Sequence, residues 1–153
     1  MTRMSRVSGV LLAGGSARRM GGGDKCLRLL GGRPLLTHVM ESMAPQVEEL
    51  ILNANGDGDR FESFGLAVVS DSFPCLAGPL AGILAGMEWL QVHRPGVDLM
   101  VSVPADGPFV PGDLVSRLLA AKGTARIACA QSGGRSHPPI ALWEVTLAED
   151  LRR

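Results

Sequence analysis

The residues with the clearest capacity for chemistry lie in one glycine-rich stretch, Leu12-Ala13-Gly14-Gly15-Ser16-Ala17-Arg18-Arg19-Met20-Gly21-Gly22-Gly23-Asp24-Lys25. Glycines let a backbone approach a ligand closely and turn its N–H groups toward an anion. Arg18, Arg19 and Lys25 add positive charge to the same loop, which suits the triphosphate of a nucleotide. The apolar run Val10-Leu11-Leu12 precedes it and reads as a buried strand, so the loop leaves a strand end. A Walker loop would require Gly-Lys-Ser/Thr, whereas Lys25 follows Asp24 and precedes Cys26. A dinucleotide fingerprint counted from Gly21 and Gly23 would place its third glycine on Cys26.

Further polar candidates follow other apolar runs. Asn53 ends Leu50-Ile51-Leu52, Asp71 follows Val68-Val69-Ser70, and Asp106 follows Val101-Ser102-Val103-Pro104-Ala105. Asp106 facing a triphosphate suits Mg²⁺, which takes few carboxylates together with phosphate oxygens and waters. Asp113 is the better helix-start acid, which frees Asp106 from that duty. Asn53 offers an amide donor and acceptor for a base or ribose, while Asn55 is expected only to shape the turn. Asp71 can accept hydrogen bonds from the N1–H and N2–H₂ edge of guanine, or cap a turn before Ser72. Gly78-Pro79-Leu80-Ala81-Gly82 opens a helix, where Gly78 allows a base or ribose against backbone. Gly82 and Gly86 are equally well explained by close helix–sheet contact. His137, stiffened by Pro138 and Pro139, fits a structural role better than a catalytic one. His38 and His93 read as solvated or packing residues, and Met20, Met40, Met43 and Met87 as core.

The elements that must hold these groups alternate. Strands are expected over Ser8–Ala13, Glu49–Asn53, Ala67–Ser70, Leu99–Val103 and Arg126–Ala130. Helices are expected over Leu35–Met43, Pro79–Val92 and Pro111–Ala121, with prolines at two of the starts. Ile140–Leu142 adds a strand across the turn Ser132-Gly133-Gly134-Arg135, and Thr146–Arg152 begins a helix. This alternation predicts an α/β fold with a mostly parallel sheet, in which Lys25, Asn53, Asp71 and Asp106 gather along one edge.

Composition sets the bounds. At 153 residues the chain predicts one domain spanning 1–153, with 46% hydrophobic residues to build a core and only 4% aromatics. Zero formal net charge, without a basic block, argues against nucleic acid or an anionic membrane as partner. Cys26, Cys75 and Cys129 form neither a metal-ligand pair nor a disulfide framework. With no signal peptide or membrane-length apolar run, a cytoplasmic location is expected.

The loop resembles the Leu-Ala-Gly-Gly-x-Ser-x-Arg-Met-Gly-x-x-Lys signature of nucleotidyltransferases, and among them the molybdenum cofactor guanylyltransferases. Leu52-Asn53-Ala54-Asn55, Val69-Ser70-Asp71, Gly78-Pro79-Leu80-Ala81-Gly82, Val103-Pro104-Ala105-Asp106-Gly107-Pro108 and Arg135-Ser136-His137-Pro138-Pro139 resemble that family's later motifs, in order. The resemblance implies a Rossmann-like three-layer α/β/α nucleotidyltransferase fold. It implies transfer of GMP from GTP to molybdopterin, with release of pyrophosphate and formation of molybdopterin guanine dinucleotide. Nucleotide-binding residues would be Leu12, Ala13, Gly14, Gly15, Lys25, Asn53, Asp71, Gly78 and Asp106. Lys25, Asp106 and Arg19 would act on the phosphates, with Mg²⁺ on Asp106. Implied partners are GTP, molybdopterin or the molybdenum cofactor, and transiently proteins of cofactor synthesis or molybdoenzymes.

Ala105 stands where a cysteine often precedes the aspartate. Family members also continue beyond Arg153 into a segment with an Asn-x-Asn strand and a closing helix. The chain is therefore expected to be C-terminally truncated relative to the family, to bind GTP, and to turn over poorly. Two alternatives stay open: another nucleotidyltransferase of the same fold, such as a molybdenum cofactor cytidylyltransferase, and a non-catalytic GTP-binding remnant.

Overall fold

The computed structural model describes residues 6–13, 24–71 and 78–152. Gly14, Gly15 and Arg19, together with Arg18, Met20 and Cys75, lie outside the described residues. The strands are β1 (Val7–Leu12), β2 (Leu29–Leu30), β3 (Arg33–Pro34), β4 (Leu50–Asn53), β5 (Ala67–Val69), β6 (Leu99–Pro104), β7 (Ile127–Ser132) and β8 (Arg135–Glu144). The helices are α1 (Leu35–Met43), α2 (Pro79–His93), α3 (Leu114–Lys122) and α4 (Ala148–Arg152).

Six strands form one sheet in the order β5-β4-β1-β6-β8-β7. β5, β4, β1 and β6 run parallel, and β8 is antiparallel to both β6 and β7. The expected α/β fold with a mostly parallel sheet is thus what forms. Register aligns the strand ends: Leu12 lies opposite both Asn53 and Pro104, and Asn53 opposite Val69. Four carboxyl ends therefore stand in one row, spanning three strand spacings or about 14 Å.

Side chains alternate between two cores because successive strand residues point to opposite faces. Leu11, Leu52, Val101 and Val103 pack with Leu36, Val39 and Met43 of α1 and with Leu114, Val115 and Leu118 of α3. Val10, Ile51 and Met100 pack on the other face with Ile83, Leu84, Met87 and Leu90 of α2 and with Ala148 of α4. Helix α2 buries every residue from Ala81 to Met87, lying between the sheet and α4. Glycines let it come close. A Cβ on Gly86 would stand 2.9 Å from Met100 Sδ and 3.2 Å from Val10 Cβ.

Helix α3 departs from expectation. It begins at Leu114 rather than at Pro111. Gln46, in the 3₁₀ turn Ala44–Gln46, donates to Pro111 O at 3.0 Å and accepts from Val115 N at 2.8 Å. Its amide thus satisfies an orphan N–H of the first turn and holds Pro111 outside the helix. Asp113 occupies the N-cap position but makes no capping bond. Four short elements were also not anticipated: the β2–β3 hairpin and the 3₁₀ turns Lys25–Leu27, Ala44–Gln46 and Gly58–Phe64.

One buried polar network ties β8 to β6. Ser102, fully buried, donates to Pro139 O at 2.9 Å and receives the Trp143 indole N–H at 2.9 Å. Ser102→Ala leaves that indole donor buried without a partner. The expected loss is about 1–3 kcal/mol, read as a lower thermal midpoint; an unchanged midpoint would contradict the network's stabilising role.

Candidate active site

The row of strand ends carries most of the described polar candidates. From β1, Ala13 N donates to Asn53 O at 2.8 Å and Leu12 O accepts from Ala105 N at 3.0 Å. These bonds tie the loop's root to both neighbouring strand ends. The strand order reverses direction between β1 and β6, and ligands of open α/β sheets bind in the crevice at such a switch point. Ala13, at the end of β1, stands on one side of it and Asp106 follows β6 on the other.

Lys25 opens the 3₁₀ turn Lys25–Leu27 and is exposed. Cys26, at 3% exposure, anchors that turn into the core cluster to which Ala105 also belongs. Burial, together with the charges of Asp24 and Asp106, pushes the Cys26 thiol up to about 12. Asp106 thus lies within electrostatic reach of the turn that presents Lys25. Asp24 is fixed by Arg60, whose Nε and Nη2 meet its two carboxylate oxygens at 2.6 and 3.2 Å. Arg60 Nη2 also reaches Asn55 O at 2.8 Å, and its Nη1 bonds to Asp57 O. One guanidinium therefore joins Asp24, just ahead of Lys25, to the turn after β4.

Asp71 is held on both oxygens. Asn53 Nδ2 donates to Oδ1 at 2.8 Å and Asn55 Nδ2 to Oδ2 at 2.9 Å, while Asn55 Oδ1 accepts from Asp71 N at 2.9 Å. Two expectations change here. Asn53 is 2% exposed and gives its remaining amide hydrogen to Val69 O at 3.1 Å, so it positions Asp71. Asn55, expected only to shape the turn, grips the same carboxylate from the other side. Each Asp71 oxygen keeps a second lone pair for a ligand.

Gly82 belongs to this cluster as well. A Cβ there would stand 2.3 Å from Asn53 Oδ1, so only glycine lets α2 pass over the asparagine. Gly78, at φ 62° and ψ −145°, makes the turn into α2 in a region that suits glycine. His137 hydrogen-bonds through Nε2 to Ser132 Oγ at 2.8 Å, in keeping with a structural role. His38 meets Leu30 O, and His93 meets Trp89 O while stacking on the Trp89 ring.

Among the described residues no three His, Cys, Asp or Glu side chains could jointly cage a metal. A lone carboxylate such as Asp106 fits Mg²⁺, whose other ligands are phosphate oxygens and waters. A shallow cavity of about 530 Å³ lies at the opposite sheet edge, lined by Asp98, Lys122, Glu144 and Thr146 among others. Its lysine is already committed to Glu144 at 3.2 Å. No described helix is long and apolar enough to cross a membrane.

Fold and strand-end chemistry together define the class: a three-layer α/β/α nucleotidyltransferase. The family profile of the MobA-like NTP transferase domain matches residues 9–153, and the chain belongs to that family. It is 59% identical over 148 residues to the molybdenum cofactor guanylyltransferase of Bradyrhizobium sp. (strain ORS 278), an alignment covering 95% of this chain and 70% of the relative. The enzyme of the same name from Rhodopseudomonas palustris (strain BisB5) is 56% identical, with 94% and 70% covered. The solved structure of molybdopterin-guanine dinucleotide biosynthesis protein A from Archaeoglobus fulgidus superposes with a TM-score of 0.70 at 22% identity, covering 95% of this chain and 71% of that one.

The thiol shift generates a test. In the folded chain Cys26 keeps its proton from about 9 to about 12, whereas the unfolded chain loses it near the usual 9.0. Its contribution to stability is complete below about 9 and is lost as pH rises toward 12. At pH 8, iodoacetamide should modify exposed Cys129 in the native protein and spare Cys26 until the chain unfolds. Native modification of Cys26 at a comparable rate, mapped by mass spectrometry, would contradict this environment.

Proposed function

We propose that this chain transfers GMP from GTP to molybdopterin, releasing pyrophosphate and forming molybdopterin guanine dinucleotide. The observation that carries the proposal is the in-register row that aligns the root of the glycine-rich loop, Asn53 and Val69 with the strand end before Asp106. Identity above 50% to proteins named molybdenum cofactor guanylyltransferase supports guanine as the base and molybdopterin as the acceptor.

Asp71, held by Asn53 and Asn55, is suited to accept the N1–H and N2–H₂ of guanine. The loop and Lys25 bind the triphosphate as N–H donors and a point charge. Arg19 on the same loop would share that charge. Leu12, Ala13, Gly14, Gly15 and Gly78 would contribute backbone against the nucleotide. Asp106 would hold Mg²⁺, which supplies charge stabilisation to phosphate oxygens when bound.

An oxygen of the acceptor's phosphate attacks the α-phosphorus, the new P–O bond forms, and the bond to the β-phosphate oxygen breaks as pyrophosphate leaves. No covalent enzyme intermediate is needed, because in-line displacement depends on alignment and charge stabilisation.

The test compares GTP, CTP, ATP and UTP by thermal shift with Mg²⁺. At 100 times its dissociation constant GTP should stabilise by about 2.7 kcal/mol, and the other three by much less. Asp106→Ala should abolish pyrophosphate release with molybdopterin and leave Mg²⁺-free GTP binding nearly intact. Equal shifts with CTP would reject the guanylyl reading, and parental turnover in Asp106→Ala would reject the metal role.

A further inference from the structure

The described cations divide into two sets. Arg6, Arg33, Arg60, Arg94, Arg117, Lys122, Arg126 and Arg152 each pair with a carboxylate. Lys25, Arg28 and Arg135 are the described cations without such a pair. Lys25 and Arg28 sit on the turn beside Cys26, and Arg28 N bonds to Lys25 O at 3.0 Å. Arg135 comes from the far side of the sheet in sequence, yet topology returns it to the same edge.

Strand β8 runs antiparallel to β6, with Glu144 opposite Leu99 and Ala141 opposite Ser102. Followed backward from Ala141, the chain passes Pro139, whose carbonyl takes the Ser102 hydroxyl, and continues toward the carboxyl end of β6. The β7–β8 turn thus projects past the strand end that carries Asp106. Gly133 and Gly134 form it with φ of 56° and 77°, a tight two-residue hairpin turn. A 2.8 Å hydrogen bond crosses the hairpin diagonally, from Ser132, the residue opposite Arg135, to His137, two residues beyond it. Arg135 is exposed on a braced support rather than on a long loop.

We infer that Arg135 receives the terminal phosphate of the acceptor. The inference rests on the guanylyl reading. Across the sheet the order β4, β1, β6, β8 places Asp71 and its asparagines first, then the carboxyl end of β1, Asp106, and the hairpin. A nucleotide laid along β4 and β1 leaves the β8 side for the attacking group. In-line displacement brings attack from the side opposite the departing pyrophosphate, which the loop and Lys25 hold. The attacking group is itself a phosphate monoester, so its approach to another phosphate requires a cation. A guanidinium offers two parallel N–H donors to phosphate oxygens and keeps its charge at every working pH.

The experiment measures pyrophosphate release as a function of GTP and of purified molybdopterin for the parent, Arg135→Ala and Arg135→Lys. A parallel titration follows molybdopterin binding by pterin fluorescence with a non-hydrolysable GTP analogue present. Arg135→Ala should raise KM and Kd for molybdopterin about 10- to 100-fold, the scale of a lost charge-assisted hydrogen bond. GTP KM and the thermal midpoint should stay at parental values, and Arg135→Lys should recover part of the loss. An unchanged molybdopterin KM in Arg135→Ala overturns the inference. So does a rise in GTP KM alone, which would assign the side chain to the nucleotide. A parent that binds neither GTP nor molybdopterin removes the guanylyl reading itself, and the role of Arg135 with it.

Discussion

Everything at the candidate site depends on the register of four parallel strands. Leu12, Asn53, Val69 and Pro104 end opposite one another, so the residues that follow them have no choice but to meet along one edge. A shift of one residue in β4 would send Asn53 to the other face and Leu52 into the wrong core. Two fully buried cores, one on each face, make such a slip costly. The chemistry of the edge thus inherits its precision from hydrophobic packing well behind it.

Polar ties then refine what the sheet aligns. Asn53 links the close approach of α2 to the orientation of Asp71, because the space that a Cβ on Gly82 would fill is occupied by the asparagine amide. Arg60 links Asp24, just ahead of Lys25, to the turn after β4, and its guanidinium also stands 4.5 Å from the Phe61 ring centroid. Phe61 is itself fully buried. The turn that presents Lys25 and the turn that carries Asn55 are therefore joined through the 3₁₀ turn Gly58–Phe64, and disturbance of either should be felt by the other.

Much of this was legible in the residues. Short apolar runs announced the parallel strands, Pro79 marked the start of α2, and Ser132-Gly133-Gly134-Arg135 marked the hairpin. The start of α3 was not legible, because Gln46, remote in sequence, caps it and leaves Pro111 outside. The Asn55–Asp71 bond and the Arg60–Asp24 pair were missed for the same reason, since local turn chemistry explained Asn55 and nothing local explained Arg60. The β2–β3 hairpin did leave a signal: Gly31-Gly32 between Leu29-Leu30 and Arg33-Pro34 is a two-residue turn pattern. Of the two roles considered for Gly82, close helix packing is the one that the contact with Asn53 displays.

The central claim is that the nucleotide lies along the carboxyl edge, from Asp71 to Asp106. Amide chemical-shift perturbation on titration with GTP and Mg²⁺ tests it most directly. Changes should concentrate at Ala13, Lys25, Ala54, Asn55, Asp71 and Gly107, while Asp98, Lys122 and Thr146 at the opposite edge stay still. Perturbation centred on those last three, with the carboxyl edge unmoved, would contradict the account.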